Sequence, residues 1–371
     1  MPDIPSVGVE EEYLIVDPVS RATVPRGADV LRRAVIEMGS AVSAELTQFQ
    51  IEAKTPPCTS LAELEDEIAR MRSVVAACAV QEGLRIAASG TPILGDVVPP
   101  PISAGARRER SERLYGALHD EQSICACHVH VHLPERDRAP LVSNHLRPWL
   151  AALVALTANS PYWAGRDTGY SSWRTLTWGR WPVAGPPPYF ESASEFEDLV
   201  DALIDAGVSP DRGAVYWDIR PCTHLPTLEI RVADMPTTTG GSVLLAAIVR
   251  AMVMVASAAV DSGRQAPRVS PELLRAAYWL SARDGLAGSA IDLGRRRRVP
   301  ATAVIEDLLA YAGPALEVSG DVETVAAACK QMREGGGGAA RQRAAFARRR
   351  VLGDVVDYLV AETVPPPGAT R

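Results

Sequence analysis

The chain lacks the glycine loops that commonly cradle phosphate. Nothing matches GxxxxGKS or GxxxxGKT, and no GxGxxG follows a strand-like run, so a bound phosphate would have to be held by metals and arginines. Gly335–Gly338 carries no lysine and reads as a hinge. Basic charge is not in excess: 38 Lys and Arg stand against 45 Asp and Glu, for a net charge of −7. That balance argues against general binding to nucleic acid or to an anionic membrane. Long apolar runs are scarce as well. The most lipid-like stretch, Val243 to Val260, carries Arg250 at its centre, where a bilayer position costs about 2.5–3.5 kcal/mol. A buried core helix is expected there, not a membrane span. Met1-Pro2-Asp3 opens with neither a basic nor an apolar run, so no export signal is expected. A cytoplasmic setting follows, with the six cysteines as reduced thiols. No internal repeat is visible.

What is present suits a sizeable core. The 371 residues are 47% hydrophobic and 22% charged, the balance of a globular protein, and a single domain over 1–371 is expected. Val7 to Val16 reads as a strand buried on both faces. Thr47 to Glu52 reads as an extended run, and Ser60-Leu61-Ala62-Glu63 as a capping box that starts a helix to about Ala88. A short helix over Arg107 to Leu118, a strand over Ile124 to Leu133 and a helix over Leu146 to Asn159 follow. Tyr162 to Phe190 holds four Trp with several Gly and Pro and has no period. A segment of that length inside a compact domain is usually functional. A helix from Ser194, a strand over Leu228 to Val232 and a nearly all-helical remainder complete the chain, the last helix running from Ala339 to Glu362. Sparse strands first and many helices later indicate an α+β fold.

Three strands carry polar residues at alternate positions. Side chains repeat every two residues on a strand, so Glu10 and Glu12 share a face, as do His128, His130 and His132, and Glu229 and Arg231. Ionisable groups on apolar strands are costly to bury unless they pair or bind a metal. If the strands are neighbours, these faces converge on a carboxylate-rich site. Glu45 and Glu52 can join it only if the chain bends between them, because a straight strand would point them opposite ways. Oxygen ligands with one or two imidazoles favour Mg²⁺ or Mn²⁺ over zinc and suggest a metal shared with substrate phosphates. The bland alternative is a set of salt bridges between Glu10, Glu12 and Arg231 inside a structural sheet. Cys125 and Cys127 alternate with the histidines and so face away from them, as small buried hydrophobes. Arg174, Arg180 and Arg220, set among Trp and Tyr, are candidates for anion contacts or for stacking.

These segments, in order, resemble the carboxylate–amine ligases of the glutamate–cysteine ligase type 2 family. The stretches that carry the likeness are GVEEEYLIVDP, ELTQFQIEAKTPPC, GTPIL, CHVHV, NSPYWAGRDTGYSSWRTLTWGRWPVAGPPPYF, WDIRPCTHLPTLEIRVADMP and REGGGGAARQR. Together they span nearly the whole chain. The resemblance implies a glutamine-synthetase-like fold, with a curved antiparallel sheet and helices packed behind it. It places Glu10, Glu12, Glu45, Glu52, His128 and Glu229 at metal and nucleotide positions. Arg231 and Arg174 fall where arginines meet phosphate or a substrate carboxylate, and His130 falls on the substrate side, where Arg220 is also expected. The implied reaction uses ATP and Mg²⁺ (or Mn²⁺) to activate an acid, with a glutamate γ-carboxylate and cysteine as the reference pair, in a homodimer. One departure is visible: His132 stands where the family usually has glycine. Two other readings compete. One is a metal-dependent amide hydrolase using His128 and His130; the other is a non-catalytic metabolite-binding protein of the same fold.

Overall fold

The computed structural model describes residues 4–364. In chain order the elements are β1 (Val7–Val16), α1 (Gly27–Met38), β2 (Val42–Ala44), β3 (Gln50–Lys54), α2 (Leu61–Gln81), β4 (Arg85–Ala87), α3 (Ala106–Tyr115), β5 (Ala126–His132), α4 (Ala139–Leu146) and α5 (Leu150–Thr157). There follow β6 (Tyr162–Trp163), β7 (Arg166–Asp167), α6 (Trp173–Trp178), α7 (Ala193–Asp205), β8 (Ile219–Pro221), β9 (Thr227–Asp234), α8 (Thr239–Asp261) and α9 (Pro271–Asp284). The chain closes with β10 (Ser289–Asp292), β11 (Arg297–Pro300), α10 (Ala301–Ser319), α11 (Val322–Gly335), α12 (Gly338–Arg349) and α13 (Leu352–Thr363).

The main sheet is antiparallel, in the order β2-β3-β1-β5-β9-β8, with β4 also paired to β1. The expected neighbours are therefore real neighbours. Glu10 lies opposite His128, Glu12 opposite Glu52, and His130 opposite Glu229. On the back of the sheet, α8 packs on β5 and β1, α2 on β1, and α5 on β9. The apolar residues of that face merge with these helices into one large core. A smaller cluster of Phe190, Phe196, Val200, Val215 and Trp217 braces the loop before β8.

Helix α8 is the expected core helix, with 72% of its apolar window buried. Arg250 sits within it because Asp321 takes its Nη2 at 2.7 Å and the Thr59 carbonyl its Nη1 at 3.0 Å. A buried charge is tolerable when paired in this way.

Several boundaries differ from the sequence reading, each for a local reason. Helix α2 begins at the expected cap, where the Ser60 side chain accepts from the Glu63 N–H, but it ends at Gln81. The positive φ of Gly83 (72°) turns the chain, and Leu84 and Ile86 are buried because β4 pairs with β1. Thr47 to Phe49 form a bridge and a turn, and the strand starts at Gln50. The helical reading of Leu146 to Asn159 begins earlier, at Ala139, and is jointed at Arg147–Trp149. The aperiodic Tyr162 to Phe190 segment holds the β6–β7 hairpin and α6. Of the arginine run, Arg295 and Arg296 lie in the turn of the β10–β11 hairpin, and Arg297 and Arg298 lie on β11. The final helix is two, α12 and α13, broken where Arg350 adopts φ 58°.

Candidate active site

One face of the sheet lines a cavity of about 550 Å³. Into it project five carboxylates, Glu10, Glu12, Glu45, Glu52 and Glu229, together with His128, His130, Arg174, Arg220 and Arg231. The bend demanded between Glu45 and Glu52 is the β2–β3 hairpin. Ser43 on β2 faces Glu52 on β3 and donates to its Oε1 at 3.0 Å, while Glu45 follows directly after β2.

His128 stands at the centre. Its Nδ1 lies 3.2 Å from Glu10 Oε2 and 4.0 Å from Glu229 Oε1, and its Nε2 lies 3.9 Å from Glu12 Oε1. Two donor sets result, Glu10–His128–Glu229 and Glu12–Glu52–His128, each with ligand atoms within 4.8 Å of one another. Basic groups hold the acids from the flanks. Lys54 Nζ is 2.6 Å from Glu52 and 3.2 Å from Glu10. Arg220 Nε donates to Glu229 Oε2 at 2.7 Å, and Arg231 pairs with the other oxygen of Glu229. Two guanidinium groups on one carboxylate fix its orientation firmly.

The electrostatics are uneven across this floor. Burial disfavours charge on Glu229 and Glu10, yet the arginines beside Glu229 and the two histidines beside Glu10 outweigh it and hold both carboxyls far below the ordinary range. Glu12 goes the other way: burial, then the charge of Glu52, pushes it up to about 8. Burial with Glu52 and Glu12 nearby also raises Glu45 well above its ordinary value. Burial and the charge of Arg231 lower His128 to about 4. His130 is opposed by burial but held up to about 10 by hydrogen bonding and by Glu10 and Glu229. Like charges crowded at Glu12, Glu45 and Glu52 leave a demand for a cation that Lys54 alone does not meet. An oxygen-rich set with one central imidazole fits Mg²⁺ or Mn²⁺.

Arg174 comes from the aperiodic segment. The N-cap of α6 is Ser172, whose Oγ also donates to Asp234 at 2.7 Å, and Ser160 donates to the same carboxylate at 2.7 Å. That anchored helix sends the buried Arg174 guanidinium to the carbonyls of Arg231 and Val232, with Nε left without a partner. Arg180 instead pairs with Glu121 at the surface and lies outside this floor. His132 is exposed at the end of β5, opposite Thr227, and does not line the cavity. Cys125 and Cys127 are buried, and burial raises both thiols well above their ordinary range.

Lys54 escaped the sequence reading, although the signal was there. It is one of two lysines in the chain and lies two residues beyond Glu52, on the same strand face. Tyr216 and Trp178, 5.0 Å apart at the cavity wall, come from loop and helix far apart in sequence and carry no local signature.

The model of the glutamate–cysteine ligase family 2 matches residues 6–360. The chain belongs to that family. A protein of Saccharopolyspora erythraea that carries a provisional glutamate–cysteine ligase 2 name is 43% identical over 366 residues, covering 98% of this chain and 96% of the relative. A similarly named protein of Mycobacterium sp. (strain KMS) is 45% identical, covering 97% of this chain and 99% of the relative. Among solved structures, the glutamate–cysteine ligase of Francisella tularensis, in complex with AMP, superposes with a TM-score of 0.70 over 97% of this chain and 88% of that one. Its sequence is only 13% identical, so the likeness is one of fold. Family membership makes this chain an enzyme of the carbon–nitrogen ligase class and settles the choice against the amide hydrolase.

Proposed function

We propose that the chain is an ATP-dependent carboxylate–amine ligase that activates a glutamate γ-carboxylate and joins it to cysteine or another small amine. The observation that carries this reading is the single sheet face on which five carboxylates, a central imidazole and Arg231 converge. A hydrolase needs no such surplus of acid beside arginines, whereas phosphoryl transfer from a metal-bound nucleotide does. The AMP in the Francisella structure is in keeping with a nucleotide on this fold.

In this reading Glu10, Glu12, Glu45, Glu52, Glu229 and His128 hold Mg²⁺ or Mn²⁺, which when bound offsets phosphate charge. The chain's own residues do the rest. Arg231, oriented by Glu229, presents positive charge to the phosphoryl group as it passes from ATP to the substrate carboxylate oxygen with release of ADP. Arg174, fixed by Asp234 through Ser172 and Ser160, meets the substrate carboxylate or the departing phosphate. The amine nitrogen then attacks the acyl carbon; the carbon–nitrogen bond forms, the carbon–oxygen bond to phosphate breaks, and phosphate leaves with the electron pair. The amine's proton passes to solvent or to a carboxylate. The acidic floor also excludes a free carboxylate from the metal side, so the acid is expected to reach the arginine side of the cavity.

Phosphate release, measured with ATP and Mg²⁺ over a panel of acids and amines, tests the reading. Release that requires both an acid and an amine is the expected result. Silence across a broad panel would favour the non-catalytic binding protein and overturn the proposal.

A further inference from the structure

No residue of α12 lines the active-site cavity, yet this helix grips at two points the segment that delivers Arg174. Gln342 is fully buried. Its Nε2 donates to Asn159 Oδ1 at 2.8 Å and to the Asn159 carbonyl at 2.9 Å, with Ser89 Oγ at 3.3 Å. Its own Oε1 has no partner among the described residues, so Asn159 and Ser89 orient the amide. Arg343, the next residue, donates to Asp167 at 2.8 and 3.0 Å and to the Tyr170 carbonyl at 2.8 Å. The helix comes in close. The Ala339 N–H donates to the Ala158 carbonyl at 3.0 Å, and a Cβ at Gly338 would collide with the Asn159 side chain. One glycine of the 335–338 run is thus needed for space, because only a residue without Cβ lets the helix start there.

From Asn159 the bonds run on to Arg174. The Asn159 Nδ2 donates to the Met235 carbonyl at 2.7 Å and to Thr237 Oγ1 at 2.9 Å, and its backbone N–H donates to Asp234 Oδ2 at 2.8 Å. Asp234 also accepts the hydroxyls of Ser160 and Ser172. Ser160 then holds α6 directly: its carbonyl takes the Trp173 N–H at 3.0 Å and its Oγ the Arg174 N–H at 3.1 Å. Gln342, Asn159, Asp234, Ser160, Ser172 and Arg174 are all buried. A hydrogen bond left unmade there is costly, so the relay is held to one geometry. We propose that Gln342 and Arg343 are positioning residues: α12 clamps the 159–172 segment at both ends and, through Asp234 and Ser160, fixes where α6 presents the Arg174 guanidinium. The effect on turnover rests on the ligase reading; the effect on α6 does not.

Hydrogen exchange and phosphate release, both measured on the whole protein, test the inference together. In Gln342→Met the amides of the 160–178 segment are expected to exchange about tenfold faster, while β1 and β5 keep their protection. Phosphate release should fall about ten- to a hundredfold, as a small misplacement of a reacting group allows. The loss should appear in the same parameter, kcat or the KM of the acid, that Arg174→Lys changes. In an Arg174→Lys background Gln342→Met should cost no more than about twofold further, because the two act through one group. If Arg174→Lys leaves no turnover, the exchange pattern and Gln342→Met alone decide. If Gln342→Met does not fold, Gly338→Ala, which crowds Asn159, and Arg343→Met, at the half-exposed grip, take its place. Arg349→Met, which breaks only the Arg349–Asp354 pair on the same helix, should leave both readouts unchanged. Exchange that is unaltered in α6, or faster throughout the sheet, overturns the inference. So does a loss of turnover that is equal in both backgrounds. Normal phosphate release in Gln342→Met overturns the inference and leaves the ligase reading standing. Faster exchange confined to the 160–178 segment, in a protein that releases no phosphate with any acid and amine, supports the clamp and overturns the ligase reading.

Discussion

Three consecutive glutamates on β1 meet opposite fates. Glu11 points to the back of the sheet and is fully buried, yet every need is met. Arg72 grips it with two donors at 2.7 and 2.9 Å, and Ser242 and Tyr13 donate their hydroxyls. Arg72 is satisfied in turn by the carbonyls of Pro236, Thr237 and Thr363. On the front, Glu10 is shared among His128, His130 and Lys54, whereas Glu12 is crowded by Glu52 and has no lysine or arginine within ion-pair distance among the described residues. The same residue type is therefore cement on one face and, in the proposed reading, a metal ligand on the other. Completeness of pairing separates the two, and burial does not.

The sharpest way to break that contrast is to substitute each face and read activity and stability separately. On the front, Glu229→Gln is expected to lower phosphate release by about 10³-fold, because it removes the group that orients both Arg220 and Arg231. Circular dichroism should show the fold intact. Wild-type turnover in that variant would sink the proposed site. On the back, Glu11→Gln is expected to cost about 3–5 kcal/mol by stranding Arg72. Denaturant titration measures that loss, and the molecules that remain folded should keep normal turnover.

A third, smaller effect concerns pH. Glu12, ordinarily near 4.5, titrates near 8 in the fold. The folded protein thus holds a proton that the unfolded chain has released, and stability falls as pH rises between those values. His130, held up to about 10, acts in the same sense above its ordinary 6.5, while His128, lowered to about 4, opposes it only below 6.5. Between pH 6.5 and 8 the melting temperature of the chelator-treated protein should therefore drop. Mg²⁺ should restore more stability at pH 8 than at 6.5, since it binds the ionised site. A flat profile without metal, or one unchanged in Glu12→Gln, would contradict the crowding seen on the front face. Least of all should change in His132→Gly, at an exposed strand end. Stability is expected within about 0.5 kcal/mol, and turnover within about twofold. A large change in amine preference would bring His132 back into the site.

Much of the front face was legible because strand parity is a local rule. Alternation on β1, β5 and β9 set Glu10, Glu12, His128, His130, Glu229 and Arg231 on shared faces, and the cavity contains all six. Parity also turned Cys125 and Cys127 away. The rule failed where a turn intervenes: Thr47 to Phe49 is not strand, and the hairpin that returns Glu45 toward Glu52 could be required but not located. It failed again at Leu84 and Ile86, whose apolar rhythm suits a helix as well as a strand until β1 is there to pair with.

The sequence by itself determined which residues could share a face, the helix cap at Ser60, the core helix around Arg250 and the family. Those features depend on neighbours a few residues apart or on the ordered set of motifs. Only the tertiary structure decided which faces oppose one another, and that Asp234 anchors α6 and so places Arg174. These are contacts between residues far apart in the chain, Glu10 and His128 standing 118 positions from one another. Burial also sets the charge state of Glu12, and no local pattern reports how much water a folded chain removes.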